Sequence, residues 1–189
     1  MKQPKIDVLV PSFDPPEQWR SERQKKELDS EGWKALRQKI LQRDGQACRY
    51  CGYTAQSFMN VDHIDGDPRN NAEQNLQTLC MWCHMLKHAG LHSVIRGSLE
   101  LYQKPEELDQ VTAIIKIREL RGERLSDDEI KKRLGLVKRM PFNMDHAYLS
   151  GLIGFINSKP INENGRWKIY GNITVRYSDG TYPSVFINQ

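Results

Sequence analysis

Apolar positions recur at two different periods along the chain, and each period predicts an element. Trp33, Leu36, Ile40 and Leu41 fall at helical spacing with Lys34, Arg37 and Lys39 on the other face. That pattern predicts a helix over about residues 17–43. Asp44-Gly45 ends it, because glycine suits the turn that follows a helix. Phe58 to Ile64 is a short strand candidate. A further helix is expected from about Cys80 to His88, which places His84 and His88 on one face by their four-residue spacing.

Downstream, Pro105-Glu106-Glu107 opens a helix whose apolar stripe is Leu108, Val111, Ile114, Ile115 and Ile117. Ser126-Asp127-Asp128-Glu129 has the form of a capping box before another helix, with Ile130, Leu134 and Leu136 apolar. Residues 141–163 are mixed. In the tail, Ile173, Val175 and Tyr177 alternate up to Ser178-Asp179-Gly180-Thr181, and Tyr182, Val185 and Ile187 follow. Period and turn together predict a C-terminal β-hairpin. Gly52, Gly66-Asp67-Pro68 and Asn70-Asn71 are turn signals. Residues 1–16, punctuated by Pro4, Pro11, Pro15 and Pro16, predict an extended arm. No repeat stands out beyond two cysteine pairs.

Composition changes this picture little. The 189 residues are 38% hydrophobic and 28% charged, with a net charge of +4, which fits a globular chain and only slightly favours a polyanionic partner. No apolar run approaches the roughly 18 residues of a membrane span. Lys2, Lys5 and Asp7 in the first ten residues do not suit a secretory signal. An intracellular, cytoplasmic location is therefore expected. In that reducing setting, close cysteine pairs read as metal ligands rather than disulfides.

Cys48/Cys51 and Cys80/Cys83 form two Cys-x-x-Cys pairs. Each pair bends the backbone so that both thiolates face one ion, and two pairs complete a closed tetrahedral zinc site. Such a site leaves no open coordination position, so its expected role is structural. The long gap between the pairs leaves room for an inserted functional loop.

Three stretches carry a family resemblance. They are Trp33-x-x-Leu36-Arg37-x-x-Ile40-Leu41-x-Arg43-Asp44-Gly45-x-x-Cys48-x-x-Cys51-Gly52, then Val61-Asp62-His63-Ile64-Asp65-Gly66-Asp67, then Asn75-Leu76-x-x-Leu79-Cys80-x-x-Cys83-His84-x-x-Lys87. In order and spacing they resemble the zinc-stabilised HNH endonucleases, over roughly residues 33–90. The resemblance implies an α+β fold built on a ββα-metal core: a strand carrying Asp-His, a loop, a second strand and a helix presenting the last histidine. The structural four-cysteine zinc, flanking helices and the C-terminal hairpin complete the expected architecture. It also implies roles. Asp62 and His84 would hold a catalytic divalent ion, Mg²⁺ or else Mn²⁺, Zn²⁺ or Ni²⁺. His88 would stand where some members place a further ligand. His63 would be the general base, and Asn75 would pin the loop and orient it.

Elementary chemistry agrees with those roles. Phosphodiester hydrolysis needs an activated water and a cation near the leaving oxygen. Neutral imidazole accepts a proton readily near pH 7. One difficulty is geometric. Successive strand side chains face opposite ways, so Asp62 and His63 cannot both enter one cleft without a bulge, a strand end or a special main-chain arrangement. Asp65 and Asp67 read as loop-forming rather than ligating.

Residues 38–102 are also similar to the IcmJ/DotN family of HNH-like components of secretion coupling complexes. Gln38-Lys39-Ile40-x-Gln42-Arg43-Asp44, Asp65-Gly66-Asp67-x-x-Asn70-Asn71 and Leu99-x-Leu101-Tyr102 carry this similarity. It implies a non-catalytic adaptor. The presence of both His63 and His84 argues instead for activity. Lys131, Lys132, Arg133, Lys138 and Arg139 form a basic run that suits phosphate contacts and equally suits a solvated helix end. With Lys87 they are the candidate nucleic-acid contacts. The expectation is thus an N-terminal arm and helix (1–32), an HNH nuclease domain (33–97), and a region (98–189) for specificity or docking into a protein assembly. The expected partner is DNA.

Overall fold

The computed structural model describes residues 8–13, 30–90 and 98–158. Most of the predicted arm, residues 17–29 of the first predicted helix, and the tail hairpin lie outside the described residues. The chain divides into two compact units, and the division falls between His84 and Met85, upstream of the expected boundary near residue 97. Leu9–Phe13 group with the second unit.

In the first unit, helix α1 (Glu31–Arg43) begins at Ser30, whose hydroxyl accepts from the Trp33 amide at 3.2 Å. It stops at Asp44, where Gly45 (φ +61) and Gln46 (φ 53) turn left-handed. Glycine takes that conformation without the steric cost a β-carbon brings. Strands β1 (Met59–His63) and β2 (Leu76–Cys80) pair antiparallel, from Met59 opposite Cys80 to His63 opposite Leu76. Helix α2 (Met81–Lys87) follows β2 directly. The result is a ββα unit braced by α1. Ile40, Met59, Leu76 and Leu79 form its buried apolar centre.

Polar bonds fix α1 to the hairpin. Arg37 donates to the Met59 carbonyl at 2.7 Å. Arg43 donates to the carbonyls of Glu73 and Leu76, each at 2.7 Å. The Asp44 carboxylate, with its side chain only 2% exposed, accepts from Arg43 and from the Thr78 amide at 2.9 Å. Burial pushes that carboxyl up, but these hydrogen bonds outweigh it and hold it below the usual carboxylate value.

The second unit holds a three-stranded antiparallel sheet in the order β4 (Arg139–Met140), β3 (Leu99–Gln103), β5 (Leu152–Ile156). Helices α3 (Gln110–Gly122), α4 (Asp127–Arg133) and α5 (His146–Ser150) complete it. The capping box at Ser126 and Glu129 is present in both directions. Helix α3 begins later than Pro105 suggests, because the Asp109 carboxylate accepts from the Val111 and Thr112 amides and caps the helix there. Leu99, Leu101, Ile114, Ile117, Ile130, Ile153 and Phe155 are buried at the centre. Among the described residues no helix is long and apolar enough to cross a membrane.

Candidate functional site

The four cysteines converge, with each pair of sulfurs within 4.8 Å. Cys51 and Cys80 Sγ are 3.7 Å apart. A disulfide needs about 2 Å, whereas sulfurs about 2.3 Å from a tetrahedral zinc stand about 3.8 Å apart. The local fold builds this spacing. Gly52 (φ +70) turns the first pair back, so that Gly52 donates to the Cys48 carbonyl at 2.9 Å and Cys48 to the Tyr53 carbonyl at 2.8 Å. Cys80 ends β2 and Cys83 lies in α2, its amide donating to Cys80 Sγ at 3.5 Å. Mutual hydrogen bonding splits the thiols: Cys51 falls far below the usual range and Cys80 to about 6, while Cys48 and Cys83 are pushed far above. Four cysteine sulfurs gathered at this spacing can surround one cation, and the donor set fits structural zinc.

Asp62 and His63 are both buried at the far end of the hairpin from Cys80. The ladder runs through them without a bulge, so their side chains leave on opposite sides. They accordingly meet different neighbours. Asp62 Oδ2 accepts from Gln77 Nε2 at 3.0 Å, and Asp62 Oδ1 lies 4.0 Å from His84 Nε2. His84 is the middle residue of α2, and its side chain is 31% exposed. His63 stacks on Trp33, with ring centroids 5.9 Å apart and planes 11° apart. Its Nε2 lies 2.9 Å from Asn71 Oδ1.

The loop between the strands closes on itself. Asn75 accepts the Asp65 amide on Oδ1 at 3.1 Å and donates from Nδ2 to Asp65 Oδ1 and to the Asn70 carbonyl, each at 2.9 Å. The Asn75 carbonyl accepts the Ile64 amide at 2.7 Å. Asn75 thus bonds the chain just after His63, while the side-chain amide at the ring belongs to Asn71. Burial raises the Asp65 carboxyl, but bonds from Asn75, Asn70 and the Asp67 amide bring it below its usual value. Arg69 holds Asp67 down to about 2, first through its side chain and then through its amide. Both carboxylates are occupied inside the loop.

With this geometry in view, the chain can be set beside known proteins. Residues 48–90 match the HNH endonuclease family. The HNH segment therefore takes in both cysteine pairs, Asp62-His63, Asn75 and His84, on a mixed α+β fold. The chain is also 42% identical over 53 residues to the type 4 apparatus protein DotN of Legionella pneumophila subsp. pneumophila. That match covers 28% of this chain and 25% of DotN.

His88 lies one turn beyond His84, just past the end of α2 and in the second unit. The Lys87 carbonyl accepts from the Ser12 hydroxyl at 2.6 Å. Lys131 does not extend into solvent with its basic neighbours. Its ammonium meets Glu100 at 2.8 Å and lies 5.1 Å from the centre of the Phe155 ring. Arg139 stands 3.6 Å from the same carboxylate, and Arg133 3.4 Å from Glu123. Lys132, Arg133, Lys138 and Arg139 are exposed. Sequence reasoning passed over Gln77 and Asn71. Asn71 had a signal, the Asn70-Asn71 pair, but it registered only as a turn.

Proposed function

We propose that this chain is a metal-dependent HNH endonuclease or nickase that hydrolyses DNA phosphodiester bonds. The observation that carries this reading is the approach of the Asp62 carboxylate to the His84 imidazole, with the buried, ring-stacked His63 next to Asp62 in the chain. Asp62 and His84 offer donors for a divalent ion. His88, one helical turn on, is the further ligand of this reading. One carboxylate with two imidazoles suits zinc, nickel or manganese at least as well as magnesium, which prefers oxygen ligands. Such an ion supplies Lewis-acid stabilisation of negative charge on the phosphate. His63 takes the proton from the attacking water, and the Trp33 stack keeps its ring plane fixed. Asn75 holds the backbone on the exit side of His63. Gln77 anchors one oxygen of Asp62 and leaves the other directed toward His84. The cysteine cluster holds a separate, structural zinc.

A second reading, a non-catalytic adaptor in a larger protein assembly, is favoured by the similarity to the type 4 apparatus protein DotN. On that reading the second unit docks the HNH segment to other proteins. Incubating the purified chain with supercoiled plasmid and Mg²⁺, Mn²⁺, Zn²⁺ or Ni²⁺, beside His63→Ala, separates the two. Nicking or linearisation by the wild type but not by the variant supports the nuclease. Equal inactivity of both proteins with every ion, on single-stranded and double-stranded DNA alike, supports the adaptor.

A further inference from the structure

We propose that Gln77 is a positioning residue that decides which class of ion the Asp62–His84 pair accepts, favouring a first-row transition ion such as zinc or nickel over calcium. This rests on the metal-site half of the nuclease reading and not on cleavage itself.

Asp62, Gln77 and His84 all belong to the first unit. Asp62 and Gln77 stand directly opposite each other in the β1–β2 register. Side chains so paired leave the sheet on the same face, so the register itself delivers the amide to the carboxylate. Both residues are buried, Asp62 at 3% exposure and Gln77 at 6%. Gln77 Nε2 donates to Asp62 Oδ2 at 3.0 Å. The kind of donor matters. Glutamine is neutral, so it fixes the oxygen without cancelling the carboxylate's charge. An arginine or lysine in its place would take up that charge and compete with an ion. Asp62 Oδ1 lies 4.0 Å from His84 Nε2, beyond hydrogen-bond reach. One oxygen is thus tethered by the amide, and the other stands beside an imidazole nitrogen. Calcium gathers roughly six to eight oxygens and readily takes a carboxylate through both of its own. Zinc and nickel accept imidazole nitrogen beside a carboxylate oxygen. A carboxylate tethered by one oxygen therefore suits the second kind of ion. A glutamine serving only as packing would leave that preference alone.

The test uses the full, untagged, zinc-loaded chain and reads binding of a second ion, Ni²⁺ or Ca²⁺, by calorimetric titration. The wild type should bind Ni²⁺ beyond the tight zinc, and Ca²⁺ more weakly. Gln77→Ala and Gln77→Leu should weaken Ni²⁺ about 10–100-fold, the usual cost of removing a partner that orients a metal ligand. Ca²⁺ should weaken less or gain. Gln77→Glu keeps the length of the side chain and adds carboxylate oxygens, so it should move the preference further toward Ca²⁺. Atomic spectroscopy of the tight zinc reports whether each variant is folded, and having three variants guards against one failing to fold. Ni²⁺ affinities of the Ala and Leu variants within about twofold of the wild type overturn the proposal. So do Ni²⁺ and Ca²⁺ affinities that fall by one common factor, which is what a purely structural residue gives. A wild type that takes up no second Ni²⁺ overturns it together with the metal site. A wild type that binds Ni²⁺ with the stated dependence on Gln77 but cuts no DNA leaves the role of Gln77 standing and sinks only the cleavage reading.

Discussion

Arg43, in the last turn of α1, donates to the Leu76 carbonyl at the first residue of β2, 33 positions along the chain. That bond and its companion to the Glu73 carbonyl tie the helix to the point where the loop rejoins the hairpin. Replacing Arg43 by Ala removes both donors and should destabilise the first unit by about 2 kcal/mol. Arg43→Lys should recover little, because one ammonium cannot span two carbonyls and the Asp44 carboxylate together. Urea unfolding followed by Trp fluorescence of the full chain reads this directly. A loss under about half a kcal/mol would count against the tie.

Asp44 should make the first unit sensitive to acid. Its carboxyl lies below the usual value when folded, so it contributes stability that is fully present above the unfolded pKa of about 3.9. That contribution is lost as pH falls through the lower folded value. Asp44→Asn should flatten the decline in melting temperature below about pH 4 and lower stability at pH 7 by about 1–2 kcal/mol. An unchanged slope on acidification would remove Asp44 from the account.

Metal content should separate the two donor sets. Atomic spectroscopy of the purified wild type should return tightly held zinc that survives mild chelation. Cys48→Ser and Cys83→Ser should lose it and unfold the first unit, since binding a structural zinc supplies folding free energy. His84→Ala should retain the zinc and the fold while losing any second, weakly bound ion. Loss of the tight zinc in His84→Ala would merge the two sites into one.

Gly154 tests the packing of the second unit. A β-carbon there would come within 2.2 Å of Leu86 Cδ2, and Leu86 is fully buried. Gly154→Ala should cost about 1–3 kcal/mol through overpacking. Adding Leu86→Val should recover part of that, giving a coupled rather than additive double-mutant cycle. Strict additivity would place the strain elsewhere.

Local signals in the chain foretold much of the first unit and one helix of the second. The helical period of Trp33, Leu36 and Ile40, the Asp44-Gly45 stop, the paired cysteines and the Ser126 capping box each act within a few residues. The sheet of the second unit was not legible. β3 pairs Leu99–Gln103 with residues about fifty positions later, and β5 is a continuous buried run interrupted by Gly154, so neither shows a clean two-residue alternation. The basic run misled in one respect: Lys131 looks like its neighbours in sequence, and only the fold brings Glu100 to it. At the site, the candidates came from residue type and order. They could not tell which asparagine reaches the His63 ring, because both candidates sit in one short loop.

The chain from Ile64 to Asn75 carries a practical consequence. Its carboxylates and amides bond one another, so the loop has its shape before any ligand arrives. A partner docking there would find a rigid rim and would lose little affinity to the freezing of mobile residues. Its association should be correspondingly quick and largely insensitive to loop-stiffening substitutions.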